Sequence, residues 1–128
     1  MKQPVRIDIK PLSVNDAWNT FCTRCRSAKV VRRTKSVNYK KFEKAVMLML
    51  PREIDLPMGR LRADFVWGVS NSGSDYDNPI KPFQDILQKK YGFNDSRIFV
   101  GNQEKKLVKK GQEFIEFQIT GIENILEL

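Results

Sequence analysis

The sequence predicts a single α+β domain, a mixed β-sheet with helices packed on it in the order β-α-β-α-β-β. Three observations lead there. Apolar and charged residues alternate around residues 5–9, 61–69 and 114–119, the period of strands with one buried face. Two other segments, beginning near Ser36 and Asp77, repeat their apolar residues at helical spacing. The 128 residues hold no internal repeat, low-complexity tract or composition break, so one domain, 1–128, accounts for them.

Each element has its own warrant. In the first strand Val5, Ile7 and Ile9 alternate with Arg6, Asp8 and Lys10, and Pro11 ends it. From Leu12 to Lys35 no period is sustained, and the segment reads as an irregular basic loop. After Ser36, Phe42, Ala45, Val46, Met49 and Leu50 fall on one helical face, with Lys40, Lys41 and Lys44 on another and Pro51 beyond the end. A second strand places Leu61, Ala63, Phe65, Trp67 and Val69 on one side. Asn71 to Ser74 break it, and Asp77 or Asn78 can cap a second helix with Pro79 at its first position. Ile80, Phe83, Leu87 and Tyr91 mark the buried face of that helix, and Gly92 stops it. A third strand from Arg97 to Val108 is expected to pair through Lys110-Gly111 with a fourth that carries Ile115, Phe117 and Ile119.

Composition bounds the class of function. A content of 41% hydrophobic and 30% charged residues is that of a globular protein, and the longest apolar run, Ala45 to Leu50, is too short to span a membrane. Charges at Lys2, Arg6, Asp8 and Lys10 break up any signal-peptide core, so the expected compartment is the cytoplasm, with Cys22 and Cys25 reduced. The net charge is +8, and it resides in one block. Between Cys22 and Lys44 stand Arg24, Arg26, Lys29, Arg32, Arg33, Lys35, Lys40, Lys41 and Lys44 against one acid, Glu43, while the rest of the chain balances. A block of that kind, flanked by Trp18, Phe21 and Tyr39, suits a nucleic-acid backbone and offers rings that either stack on unpaired bases or pack beneath the block. The pair Cys22-x-x-Cys25 is half of a zinc site, or two reduced thiols.

Against this basic background the run Ser74-Asp75-Tyr76-Asp77-Asn78 gathers acids. Such a run serves either as a helix cap or as a seat for a hard metal ion. On a helix starting near Asp77, residues four apart share a face, so Asp77, Lys81 and Asp85 form a polar row. Asp75 reaches the same side if the chain entering the helix is extended, and Asp95 joins them if the third strand folds alongside. Histidine is absent, which removes a histidine general base, a histidine zinc centre and a Ser-His-Asp triad. All-oxygen clusters select Mg²⁺ or Mn²⁺, and the chemistry left open is metal-assisted attack on a phosphate with Lys81 offsetting charge. No organic cofactor is expected.

The segment Asp75-Tyr76-Asp77-Asn78-Pro79-Ile80-Lys81 through Asp85, followed by Gly92-Phe93-Asn94-Asp95, resembles the D-x-D-N-x-x-K-x-x-x-D signature and later aspartate of the RusA family of Holliday junction resolvases. Pro11, Ser13 and Asn15 are similar to that family's amino-terminal P-x-S-x-N segment. The resemblance implies a homodimeric, Mg²⁺-dependent endodeoxyribonuclease, acting in recombination and repair, that makes paired symmetric nicks across a four-way DNA junction. It also implies that Asp75, Asp77 and Asp95 hold the metal and that Lys81 is needed for cleavage, with no firm role for Asp85. The Cys22-x-x-Cys25 pair and the Val30 to Arg33 stretch depart from the family pattern. Two other readings stand beside it: a non-catalytic protein that binds branched or single-stranded DNA, and a metal-dependent nuclease acting on flaps, forks or RNA structures.

Overall fold

The computed structural model describes residues 3–12, 18–22, 31–71 and 79–122, with the backbone alone at 18–22 and 31–34. The α+β class and the order of the expected elements hold, with one addition. The strands are β1 (Val5–Ile7), β2 (Trp18–Cys22), β3 (Val31–Lys35), β4 (Leu61–Val69), β5 (Ile98–Leu107) and β6 (Phe114–Gly121). The helices are α1 (Val37–Met49) and α2 (Ile80–Tyr91), and a short 3₁₀ turn, Asp95–Arg97, precedes β5.

The addition corrects the loop expected from Leu12 to Lys35. Strands β2 and β3 pair antiparallel from Trp18 opposite Lys35 to Cys22 opposite Val31, a ribbon separate from the main sheet. Arg32 and Arg33 stand side by side in it and interrupt any apolar alternation, so the period that betrays a half-buried strand is missing.

The main sheet has the order β1-β6-β4-β5. Strand β4 is parallel to β5 and antiparallel to β6, and β1 closes the far edge against β6. The expected hairpin between the last two strands is therefore wrong in its pairing, although the turn itself exists. Gly111 adopts a left-handed φ of 93° and the Gln112 N–H donates to the Lys109 carbonyl at 2.9 Å. The Val108 N–H is already committed to the Val69 carbonyl at 2.8 Å, so β5 stays on β4 and the turn carries β6 across the end of β4 to its other edge. A central strand bonded on both sides satisfies more backbone groups than a terminal hairpin would.

The residues of β4 explain why it is central. Leu61, Ala63, Phe65, Trp67 and Val69 are all buried. Phe65 and Trp67 stack at 5.3 Å between centroids, and the Phe83 ring of α2 meets both edge-on, at 6.1 and 5.8 Å, and Phe117 of β6 at 5.5 Å. Burying one such side chain contributes about 1.5–3 kcal/mol. The Trp67 indole N–H donates to Gln103 Oε1 at 3.0 Å, so the largest core residue leaves no polar atom unpaired.

Helix α1 begins where Ser36 Oγ accepts the Tyr39 N–H at 3.0 Å, and it ends at Leu50, whose extended backbone leads to Pro51. Its buried residues are Tyr39, Phe42 and Val46. Met49, assigned to the buried stripe by spacing, is 42% exposed, and Tyr39 takes the place. Tyr39 is 1% exposed, which makes it a core residue and not a base-stacking ring. Its hydroxyl donates to the Pro82 carbonyl at 3.3 Å and ties α1 to the first turn of α2. In α2 the buried set is Pro82, Phe83, Ile86 and Leu87, with Ile80 and Tyr91 only partly covered. The helix stops at Gly92, whose φ of 72° suits a residue without a Cβ, and the Gly92 N–H reaches the Gln88 carbonyl at 2.8 Å. The Asp77 or Asn78 cap lies outside the described residues, and Pro79 occupies the cap position. Among the described residues no helix is long and apolar enough to cross a membrane.

Both helices pack on the Phe65 and Trp67 side. The other side of the sheet is polar: Arg62 donates to Asp64 at 3.2 Å and Asn102 to the same carboxylate at 2.8 Å. There too the Phe114 ring lies under the Arg6 guanidinium at 4.0 Å and directly over Gly68, where a Cβ would overlap the ring. Gly68→Ala is expected to cost about 1–3 kcal/mol in urea unfolding, the usual penalty for overpacking, and Phe114→Leu in the same background to restore part of it.

Burial pushes Tyr39 up to about 12, with the charges of Asp85 and Glu43 adding to it, and burial alone does the same for Tyr91. The folded values lie above the ordinary 10.0, so the unfolded chain releases these protons first and stability falls as pH rises from 10 to about 12. Near-ultraviolet titration with alkaline unfolding curves should show this, and Tyr39→Phe should flatten the fall.

Candidate functional site

The acids expected to converge are carried by α2 and by the turn after it. Lys81, Asp85 and Gln88 fall at i, i+4 and i+7 on one side of the helix. Lys81 Nζ donates to Asp85 Oδ1 at 3.0 Å, and Gln88 Nε2 reaches the same oxygen at 3.4 Å. Gln88 Oε1 in turn accepts the main-chain N–H of Asp95 at 3.1 Å. Helix α2 thereby holds the first residue of the 3₁₀ turn against its own polar row. The turn is held at its other end by Asn94, whose side chain accepts the Ser96 N–H at 2.9 Å and whose carbonyl accepts the Arg97 N–H at 3.0 Å. Arg97 then donates to the Gly59 carbonyl at 2.9 Å and to the Pro57 carbonyl, which fixes the turn to the start of β4.

Asp95 is thus brought to the face of α2 that bears Lys81 and Asp85. Because β5 runs parallel to β4, it meets that face at Gln88, in the second half of the helix and not at its start. The charges are felt in common. Lys81 is held above the usual lysine value by its hydrogen bond to Asp85, by the charge of Asp85 and, more weakly, by that of Asp95, against a slight lowering from burial. It therefore remains a cation across the physiological range. Asp85 is the fixed partner of Lys81, a strut on the helix.

Asp75 and Asp77 lie outside the described residues. Among the described residues no group of three Asp, Glu, Cys or His side chains gathers closely enough to hold a metal. The donors present, Asp85 and Asp95, are carboxylates, which suit a hard divalent ion such as Mg²⁺. Asp95, with the two aspartates of the preceding run, remains the set that would hold one. Zinc at Cys22 and Cys25 falls on side chains that are not described.

The basic block divides in the same way. Arg24, Arg26 and Lys29 lie outside the described residues, and Arg32 and Arg33 sit in β3 at register positions opposite Phe21 and Thr20. Lys40, Lys41 and Lys44 are exposed on α1 as the spacing predicts. Lys35, the last residue of β3, donates to Glu43 Oε2 at 3.1 Å and lies 5.2 Å from the Tyr39 ring. Glu43, the lone acid of the block, also faces Lys89 of α2 at 3.5 Å. One carboxylate therefore joins the ribbon and both helices.

Gln88 and Lys89 were not singled out by the sequence reading. Spacing gave a signal for Gln88, three residues after Asp85 on the polar face. Lys89 showed only as one of the cations of the last helical turn, where they complement the helix dipole. No family model and no curated protein matches this chain. Asp85→Asn should return Lys81 toward the ordinary lysine range in an NMR titration of the side-chain amine. It should change stability by only about 0.3–0.5 kcal/mol, as for an exposed i, i+4 pair.

Proposed function

We propose that this chain is a Mg²⁺-dependent endodeoxyribonuclease that resolves four-way DNA junctions by paired symmetric nicks, working as a cytoplasmic homodimer in recombination and repair. The observation that carries the reading is the hydrogen-bonded chain from Lys81 through Asp85 and Gln88 to Asp95. It gathers a cation and two carboxylates next to the helix that follows the Asp75 and Asp77 run. The motif spacing supports the same assignment, with Asp75, Asp77 and Asp95 as metal ligands.

When bound, Mg²⁺ supplies a water of lowered pKa and a counter-charge for the phosphate. Lys81 stays protonated and stands beside the scissile phosphate, where its ammonium offsets the charge that builds on the non-bridging oxygens. Asp85 keeps the Lys81 amine from swinging into solvent. Lys40, Lys41 and Lys44, with the Arg32 and Arg33 ribbon, contact phosphates of the junction arms, and Lys35 and Lys89 are held at the rim of that surface by Glu43. Twofold symmetry of a dimer would present two such centres to symmetry-related strands.

The test is cleavage of an end-labelled four-way junction, with a linear duplex as control. Symmetric nicks that need Mg²⁺ are expected, and Asp75→Asn or Asp95→Asn should slow them at least 100-fold while junction affinity in EDTA stays within about two-fold. Tight binding without cleavage in Mg²⁺ or Mn²⁺ would overturn the nuclease reading in favour of a binding protein. Cleavage of flaps or forks in preference to junctions would move the substrate.

A further inference from the structure

We propose that Gln88 is a positioning residue for Asp95: its side-chain amide sets where the Asp95 carboxylate stands relative to Lys81 and so tunes the affinity of the centre for a divalent cation. This rests on the reading of the site as a metal-dependent nuclease. The opening residues of a helical turn have N–H groups with no partner inside the turn. Asn94 serves two later N–H groups of the Asp95–Arg97 turn, those of Ser96 and Arg97. The Asp95 N–H is served by Gln88 Oε1 at 3.1 Å. The same amide turns its Nε2 toward Asp85 Oδ1 at 3.4 Å and the Gln84 carbonyl at 3.5 Å.

Only a side chain with a donor and an acceptor on one rigid plane does both. The network also fixes which way the amide points, because the reverse orientation would set Nε2 against the Asp95 N–H and Oε1 against a carboxylate. Glutamate keeps the acceptor for Asp95 and loses the donor. Methionine keeps the length and volume and loses both. Gln88 is half-buried beside the α2 core residues, so its own rotamer is held by packing. The link matters because Asp95 comes from a turn and Lys81 from a helix, and no other printed hydrogen bond runs between the Asp95–Arg97 turn and the polar row of α2.

The decisive experiment compares the full-length parent, Gln88→Met and Gln88→Glu in three measurements: amide hydrogen exchange at Asp95 without metal, Mn²⁺ binding followed by electron paramagnetic resonance, and junction affinity in EDTA. In Gln88→Met the Asp95 amide should exchange faster and half-saturation by Mn²⁺ should need roughly five- to ten-fold more ion, the weight of one ordinary hydrogen bond. Junction affinity in EDTA should not move, and Gln88→Glu should regain protection at the Asp95 amide. A Gln88→Met protein that melts earlier but saturates with Mn²⁺ as the parent does would overturn the proposal and leave Gln88 a purely structural residue. A parent that binds no Mn²⁺ would remove the metal reading and the positioning role together, a result told apart from the first because it shows in the parent.

Discussion

The structure depends on strand β4 being bonded along both edges, parallel to β5 on one side and antiparallel to β6 on the other. A parallel neighbour requires a crossover, and α2 is that crossover. Once β5 is parallel, the turn that precedes it must lie at the beginning of β4, and Asp95 comes to rest along α2 and not at its amino end. The antiparallel partner on the other edge leaves β1 to close the sheet. The aromatic cluster of Phe65, Trp67, Phe83 and Phe117 is what this arrangement buries.

Charge is distributed with the same economy. Two carboxylates act as ties: Asp85 within α2, Glu43 between the ribbon and both helices. Each of these ion pairs is partly exposed and contributes little to stability by itself. Their effect lies in orientation. Glu43 draws Lys35 and Lys89 together at one boundary of the basic surface and leaves Lys40, Lys41 and Lys44 pointing outward. The opposite side of the sheet, with Arg62, Asp64 and Asn102 bonded among themselves, has neither the charge excess nor the outward lysines.

Much of the fold was legible because its strands and helices each bury one face. The alternation in β4 and β6, the Ser36 cap and the Gly92 stop were all readable from single residues. The ribbon was not, since a two-stranded element that carries Arg32 and Arg33 shows no buried period. The pairing of β5 and β6 was misread because a local turn signal at Lys110-Gly111 says that a chain reverses, not which strand it lands beside. Tyr39 was open to two readings because an aromatic residue among lysines looks alike whether it faces solvent or core. At the site, helical spacing brought Lys81 and Asp85 together correctly, since that relation is local. Asp95 needed the tertiary crossover, and Gln88 needed coordinates, because a glutamine on a polar helix face usually only meets water.

The placement of β4 between β5 and β6 also bears on how the chain is made. Residues 61–69 carry the most apolar strand of the molecule, yet both of its partners come later, β5 from Ile98 and β6 ending at Gly121. During synthesis at roughly 5–20 residues per second, that strand leaves the ribosome seconds before its last partner. In that interval β1, the β2–β3 ribbon and α1 are available, but no strand that bonds to β4. Folding of the sheet therefore waits on the far end of the chain, and the interval of greatest exposure to aggregation falls late in translation.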